Sequence, residues 1–308
     1  MGPCAHSPLS RNHPNPFFAI LVSQMFTLIA QVIVNGIVSG LIYSLTAAGF
    51  SLLYGNARIL FFAIGEAYML GAITFYLLIA KGGLTYFLAL LIVLIVLGLF
   101  GIFIERIIFR PLRGNELTFA FASLALGMFI AGIALEVFGE QGKGLPSPFP
   151  GLINLRGVRL TWDKLVIVLV AVVILIGLHL LFQRTKIGRA VRAVSQDAEA
   201  ARLMGVNINL NKSLTFFLSM VVTGLGGALV TPLFYADVFM GAPVLMTTLI
   251  VVVLGGLGSF PGAILGGLFI GLLESFGYTF VGGITTLILF LAVIGFLIFK
   301  PQGLLGHE

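Results

Sequence analysis

Long runs of apolar residues dominate this chain. They cover residues 25–54, 60–80, 84–103, 117–138, 165–182, 213–234, 244–280 and 284–299. Most are roughly 18–22 residues long, enough for one helix across about 30 Å of hydrocarbon. The chain is 59% hydrophobic and 9% charged, where ordinary globular domains carry about 25% charged residues. A soluble core of this length needs far less apolar matter, so lipid is the solvent for most side chains. The 39 glycines and 28 phenylalanines fit helices whose backbones approach closely. The expected fold is all-α: a polytopic transmembrane helical bundle of about 8–10 spans.

Two windows exceed one span. Residues 17–54 suit one helix with an apolar lead-in, or two short ones. Residues 244–280 are interrupted by Gly255-Gly256-Leu257-Gly258-Ser259-Phe260-Pro261-Gly262, which cannot continue a regular helix. Broken backbone at membrane depth survives only under protein or along a water-filled cavity. A discontinuous or re-entrant helix, or two spans, is expected near 255–262. Residues 1–24 are expected to be a disordered tail, or to precede a true start at Met25, and residues 25–306 form the membrane domain. Cys4 is the only cysteine, which excludes a disulfide framework and a thiolate metal site.

The net charge of +6 arises from lysines and arginines in short loops, so it points to membrane orientation rather than to nucleic acid. Placing residues 183–212 in the cytoplasm puts Arg58, Arg106, Arg110 and Arg113 there too. Lys81, Lys143, Arg156, Arg159 and Lys164 fall outside, with the N-terminus; Lys300 favours a cytoplasmic C-terminus. The outer loop, residues 139–164, carries Pro146, Pro148 and Pro150 and an extended-looking stretch at 153–158.

Residues 183–212 form the longest polar interruption and hold Arg184, Lys186, Arg189, Arg192, Arg202 and Lys212. Val191, Val194, Ala198, Ala201 and Gly205 fall at helical spacing on one face, with Arg192, Gln196, Glu199 and Arg202 beside them. Asp197 suits a helix start and Gly205 its C′ end. A short amphipathic helix on the cytoplasmic surface follows. Its small face can admit a partner's groove, or the helix can rest on lipid headgroups.

Glu199-Ala200-Ala201-Arg202-Leu203-Met204-Gly205 resembles the EAA…G loop of ABC-importer permeases. Residues 184–193, from Arg184 to Ala193, together with Ala200–Asn207, resemble the signature region of the branched-chain amino acid permeases of the LivH/LivM type. Residues 34–45, 65–71, 110–114, 254–263 and 301–306 are similar to further segments of that family, in the same order. One departure stands out: Phe61-Phe62-Ala63-Ile64 occurs where the family commonly has Asn-Phe-Ala-His, so the solute stays open.

The resemblance implies a permease subunit of an ATP-driven importer for branched-chain amino acids or a related small polar solute. It implies a bacterial or archaeal plasma (inner) membrane location, and a second, homologous permease subunit. Two cytoplasmic ABC ATPases would bind ATP and Mg, and an extracytoplasmic binding protein would deliver solute. Arg189, Arg192, Glu199, Ala200, Ala201 and Gly205 would be the ATPase-coupling residues. A permease for urea or short amides, a self-sufficient secondary transporter and a membrane scaffold that recruits a cytoplasmic protein are the alternatives.

Asn35, Glu66 and Glu274 are candidates for the translocation path. A carboxylate at the bilayer centre costs roughly 2.5–3.5 kcal/mol on insertion scales. Such groups line a path, pair across helices or reach for water; a buried amide is often helix glue. Gly36-x-x-x-Gly40, Gly262-x-x-x-Gly266 and Gly267-x-x-x-Gly271 are read as packing positions. There is no P-loop, no HExxH and no GxSxG motif, and His6, His13, His179 and His307 are scattered. No cofactor, metal site or enzyme chemistry is expected in this chain.

Overall fold

The computed structural model describes residues 16–57, 60–112, 116–155, 158–300 and 302–305. Arg58, Arg113 and Arg156, and residues 1–15 of the expected tail, lie outside the described residues.

Eleven α-helices and one small hairpin make up the described chain. They are α1 (Pro16–Ala57), α2 (Ile64–Ala80), α3 (Tyr86–Ile104), α4 (Glu116–Phe138), β1 (Leu152–Leu155), β2 (Val158–Thr161), α5 (Trp162–Arg184), α6 (Lys186–Gln196), α7 (Ala198–Leu203), α8 (Ile208–Val230), α9 (Gly241–Gly255), α10 (Phe260–Phe280) and α11 (Thr285–Phe299). Among the described residues, eight helical segments are long and apolar enough to cross a membrane, and α2 is a shorter apolar helix of 17 residues. The protein is a multi-pass helical bundle, as its apolar windows require. Residues 17–54 belong to one helix, since α1 runs unbroken through 42 residues and takes in residues 16–24.

The chain passes back and forth between two faces. One carries α6 and α7; the other carries the antiparallel β1–β2 hairpin, in which Leu152 pairs with Thr161 and Leu155 with Val158. The extended stretch of the outer loop is thus a true hairpin. Arg106 and Arg110, at the end of α3, lie on the α6–α7 face with the basic loop. The C-terminal segment returns there as well, because the Leu304 and Leu305 amides donate to the carbonyls of Leu254 and Gly255. Lys81, Lys143, Arg159 and Lys164 sit at the hairpin face. The basic residues are therefore segregated as the positive-inside effect demands.

Helix α8 is the axis of the bundle. Its buried residues run around the helix, from Asn211 through Phe216, Met220 and Leu225 to Val230, and it packs against α1, α2 and α3. Glycines set the close crossings. An added Cβ at Gly71 of α2 would collide with the Gly224 carbonyl of α8, and one at Gly227 with the Tyr68 carbonyl. The Gly36 and Gly40 positions of α1 back onto Leu272 and Leu268 of α10, each with a Cα 2.9 Å from where a Cβ would stand. The small-x-x-x-small pairs therefore close helices within one chain.

The Gly/Pro cluster makes a tight turn between two antiparallel helices rather than one interrupted helix. Gly256 and Gly258 take φ of 101° and 82°, which only glycine enters readily. The Ser259 hydroxyl accepts from Gly262 N at the start of α10, and Pro261 sits in its first turn, where its missing N–H costs nothing. Gly262 packs on Gly255 across the turn. The long window 244–280 is thus two spans.

Candidate functional site

The basic loop folds as two short helices. Asp197 is extended, with φ of −150° and ψ of 107°, and divides them. It ends α6, and its carboxylate starts α7 by accepting from Glu199 N and Ala200 N at 2.9 and 3.0 Å. The single helical face expected through Val191 and Ala201 is therefore split: a strong N-cap placed mid-stretch outcompetes continuation. At the other end Gly205 adopts φ of 86°. Gly205 N donates to Arg202 O and Val206 N to Ala201 O, which is a Schellman closure.

The expected coupling residues divide by exposure. Arg189, Arg192, Glu199, Ala200 and Gly205 face solvent, whereas Ala201 is buried against its own chain. Of the small face, Ala201 turns inward with Val191 and Val194, whereas Ala198 and Gly205 are exposed. The outward tip carries instead Leu203 and Met204, 88% and 85% exposed. Both lie in the segment singled out by resemblance, but helical spacing does not mark them, because they stand at the closing turn. Arg192 also acts within its own chain, where its guanidinium donates to the Phe182 carbonyl. It satisfies one of the orphan carbonyls ending α5, where a cation is favoured.

Three residues separate Met204 from α8, which begins with Asn207 accepting from Leu210 N at 3.1 Å. Two polar clusters lock the first turns of α8 to their neighbours. Helix α3 ends in a π-helical turn, Glu105–Phe109, and buried Glu105 accepts from Ser213 Oγ at 2.6 Å and from Arg110 at 3.2 Å. Asn56, at the end of α1, donates to Asn211 at 3.1 Å and to Thr215. Sequence reasoning missed both clusters, since each joins residues more than a hundred positions apart.

The three candidate path residues lie in three places. Asn35 sits midway along α1, beside the first turn of α5, where its Oδ1 accepts from Lys164 at 2.7 Å and from Gln31 at 3.3 Å. Gln31 in turn accepts from Arg159 N of the hairpin at 2.9 Å. Glu66 stands in the first turn of α2 with its carboxylate beside Gly127 of α4, where the missing Cβ leaves room. Glu274 of α10 lines a cavity with Tyr43 and Tyr278. Phe61 and Ile64, which replace the family's polar pair, are each 1% exposed. Phe61 meets the rings of Phe109 and Phe216 edge-on at 5.5 and 5.6 Å, so this departure fills the core.

Residues 32–299 match the family described as branched-chain amino acid transport system / permease component. The chain is 31% identical over 294 residues to the high-affinity branched-chain amino acid transport system permease protein BraD of Pseudomonas aeruginosa, covering 90% of this chain and 95% of that one. It is 28% identical over 303 residues to the corresponding permease protein LivH of Escherichia coli K12, covering 93% and 98%. PsaBC from Streptococcus pneumoniae in complex with Fab superposes with a TM-score of 0.44 at 19% identity over 90% of each chain.

Proposed function

Because this chain belongs to the family of permease components of branched-chain amino acid transport systems, we propose that it is one permease subunit of an ATP-driven importer. The solute is a branched-chain amino acid or a related small polar molecule, and the membrane is the bacterial or archaeal inner membrane. A second, homologous permease subunit completes the path. Two ABC ATPases bind ATP and Mg in the cytoplasm, and an extracytoplasmic protein delivers the solute.

The observation that carries this reading is the capped, exposed tip of α7. Leu203 and Met204 project from a rigid turn held by Asp197 and Gly205. Exposed apolar anchors beside charged neighbours make good interface centres. The partner ATPase would hold α7, and each cycle of closure would displace it. The Asn207 cap and the Glu105–Ser213 and Asn56–Asn211 contacts would carry that displacement into α8, and from α8 into the bundle. Solute and nucleotide each shift a two-state equilibrium by binding one state better.

The test is ATP-dependent uptake of L-leucine in proteoliposomes holding the complete transporter. Gly205→Glu places a charged side chain at the tip and strains a left-handed backbone position. It should abolish uptake while leaving membrane insertion normal. Full uptake by this variant, or uptake by the chain alone without ATPases, would overturn the reading.

A further inference from the structure

A cavity of about 350 Å³ lies between α1, α9, α10 and α11, at the small end of the range, about 300–1,000 Å³, usual for small-molecule sites. Val244, Ile250 and Leu289 give it apolar walls, and Glu274, Tyr43 and Thr247 converge on it. One carboxylate oxygen of Glu274 is buried without a hydrogen-bond partner. The hydroxyls of Thr247 and Thr285 donate to the carbonyls of Pro243 and Gly282, so toward a ligand their oxygens can act only as acceptors. No lysine, arginine or histidine lines the cavity among the described residues.

The depth of the site matters. Helices α1 and α10 run antiparallel, with Gly40 against Leu268 and Gly36 against Leu272, and both are long and apolar enough to cross the membrane. Side chains lean toward their helix N-termini, so Tyr43 and Glu274 lean toward one another within these two helices. A carboxylate there is strongly disfavoured against acyl chains and normally faces water or a partner. A carboxylate and threonine oxygens beside the Tyr43 and Tyr278 hydroxyls, walled by aliphatic side chains, complement a donor cation with an apolar body.

We propose that this cavity binds the primary ammonium group of a small aliphatic solute during passage, with Glu274 as its acceptor and Val244, Ile250 and Leu289 holding the apolar part. The proposal rests on the permease reading and names the solute class for one wall of its path. Neither Asn35 nor Glu66 borders the cavity, so Glu274 is the residue on which ammonium recognition depends.

The experiment uses the complete transporter with this chain in a Cys4→Ser background, and reads thiol labelling and leucine uptake separately. Thr247→Cys should react with membrane-impermeant methanethiosulfonates. Preference for the cationic trimethylammonium reagent over the anionic sulfonate should fall roughly tenfold when Glu274→Gln is added. Glu274→Gln alone should lower ATP-driven L-leucine uptake roughly tenfold, while binding-protein-stimulated ATP hydrolysis persists, which shows an assembled complex. A thiol silent to both reagents, a reagent preference indifferent to Glu274→Gln, or leucine uptake within about twofold of the parent would each overturn the proposal. Failure of the parent complex to take up leucine would count against the permease reading instead, and the labelling arm would still decide the cavity.

Discussion

The Ser213 hydroxyl donates to Glu105 Oε2 at 2.6 Å, so the first turn of α8 is tied to the π-helical turn ending α3. Glu105 is 1% exposed and needs this donor along with Arg110. Ser213→Ala leaves a buried acceptor short of one partner, which costs about 2 kcal/mol. A lowered melting temperature of the purified transporter, and weaker coupling of ATP hydrolysis to uptake, are the expected results. Glu105→Gln should be milder than Glu105→Leu, because the amide still accepts from Ser213.

The tip of α7 should dominate ATPase binding. Leu203 and Met204 are almost fully exposed, so Leu203→Asp and Met204→Asp should leave the folded subunit unaffected. Each should weaken association with the ATPase by about 2 kcal/mol, roughly thirtyfold. Binding of the isolated ATPase to permease in nanodiscs measures this. Ala200→Asp, also exposed, should act in the same direction; Ala201→Asp should instead impair folding, since Ala201 is turned inward.

The crossing of α2 and α8 tolerates no side chain. Gly227→Ala brings a Cβ into the Tyr68 carbonyl, and backbone cannot swing aside as a flexible side chain would. A loss of about 3 kcal/mol or more is expected, seen as misfolded protein or a collapsed yield of the assembled complex. Gly177→Ala in α5 meets nothing within 4 Å and should be neutral or stabilising, by up to about 1 kcal/mol.

Asn35 latches the β1–β2 hairpin to α1 through Lys164 and Gln31. Asn35→Leu removes the acceptor from Lys164 and should cost about 1–2 kcal/mol. Limited proteolysis at the hairpin would report faster cleavage. Asn35→Asp should slow cleavage below the parent rate, because an ion pair with the lysine replaces a bond in which only the donor is charged.

The helices, the face that carries the basic loop and the family were legible before any coordinates. Apolar length is a local property, and so is the clustering of lysine and arginine between spans; both report on lipid, which is the same everywhere along the chain. The Asp197 and Gly205 caps were legible for the same reason, because a cap acts within one turn. The division of the loop into α6 and α7 was harder to see: the apolar period ran through Asp197, and only its extended backbone shows that the cap won.

The sequence alone determined that this chain is a multi-pass α-helical bundle with an exposed loop, since hydrophobic length and short-range capping need no partner from elsewhere in the chain. Only the tertiary structure decided which polar groups do what. Asn35 became a latch, Glu66 found room beside Gly127, Glu274 came to face a cavity and Glu105 was buried beneath Ser213. Each outcome depends on which distant helix lies alongside, and in this bundle that is chosen by glycines whose missing Cβ atoms let backbones touch.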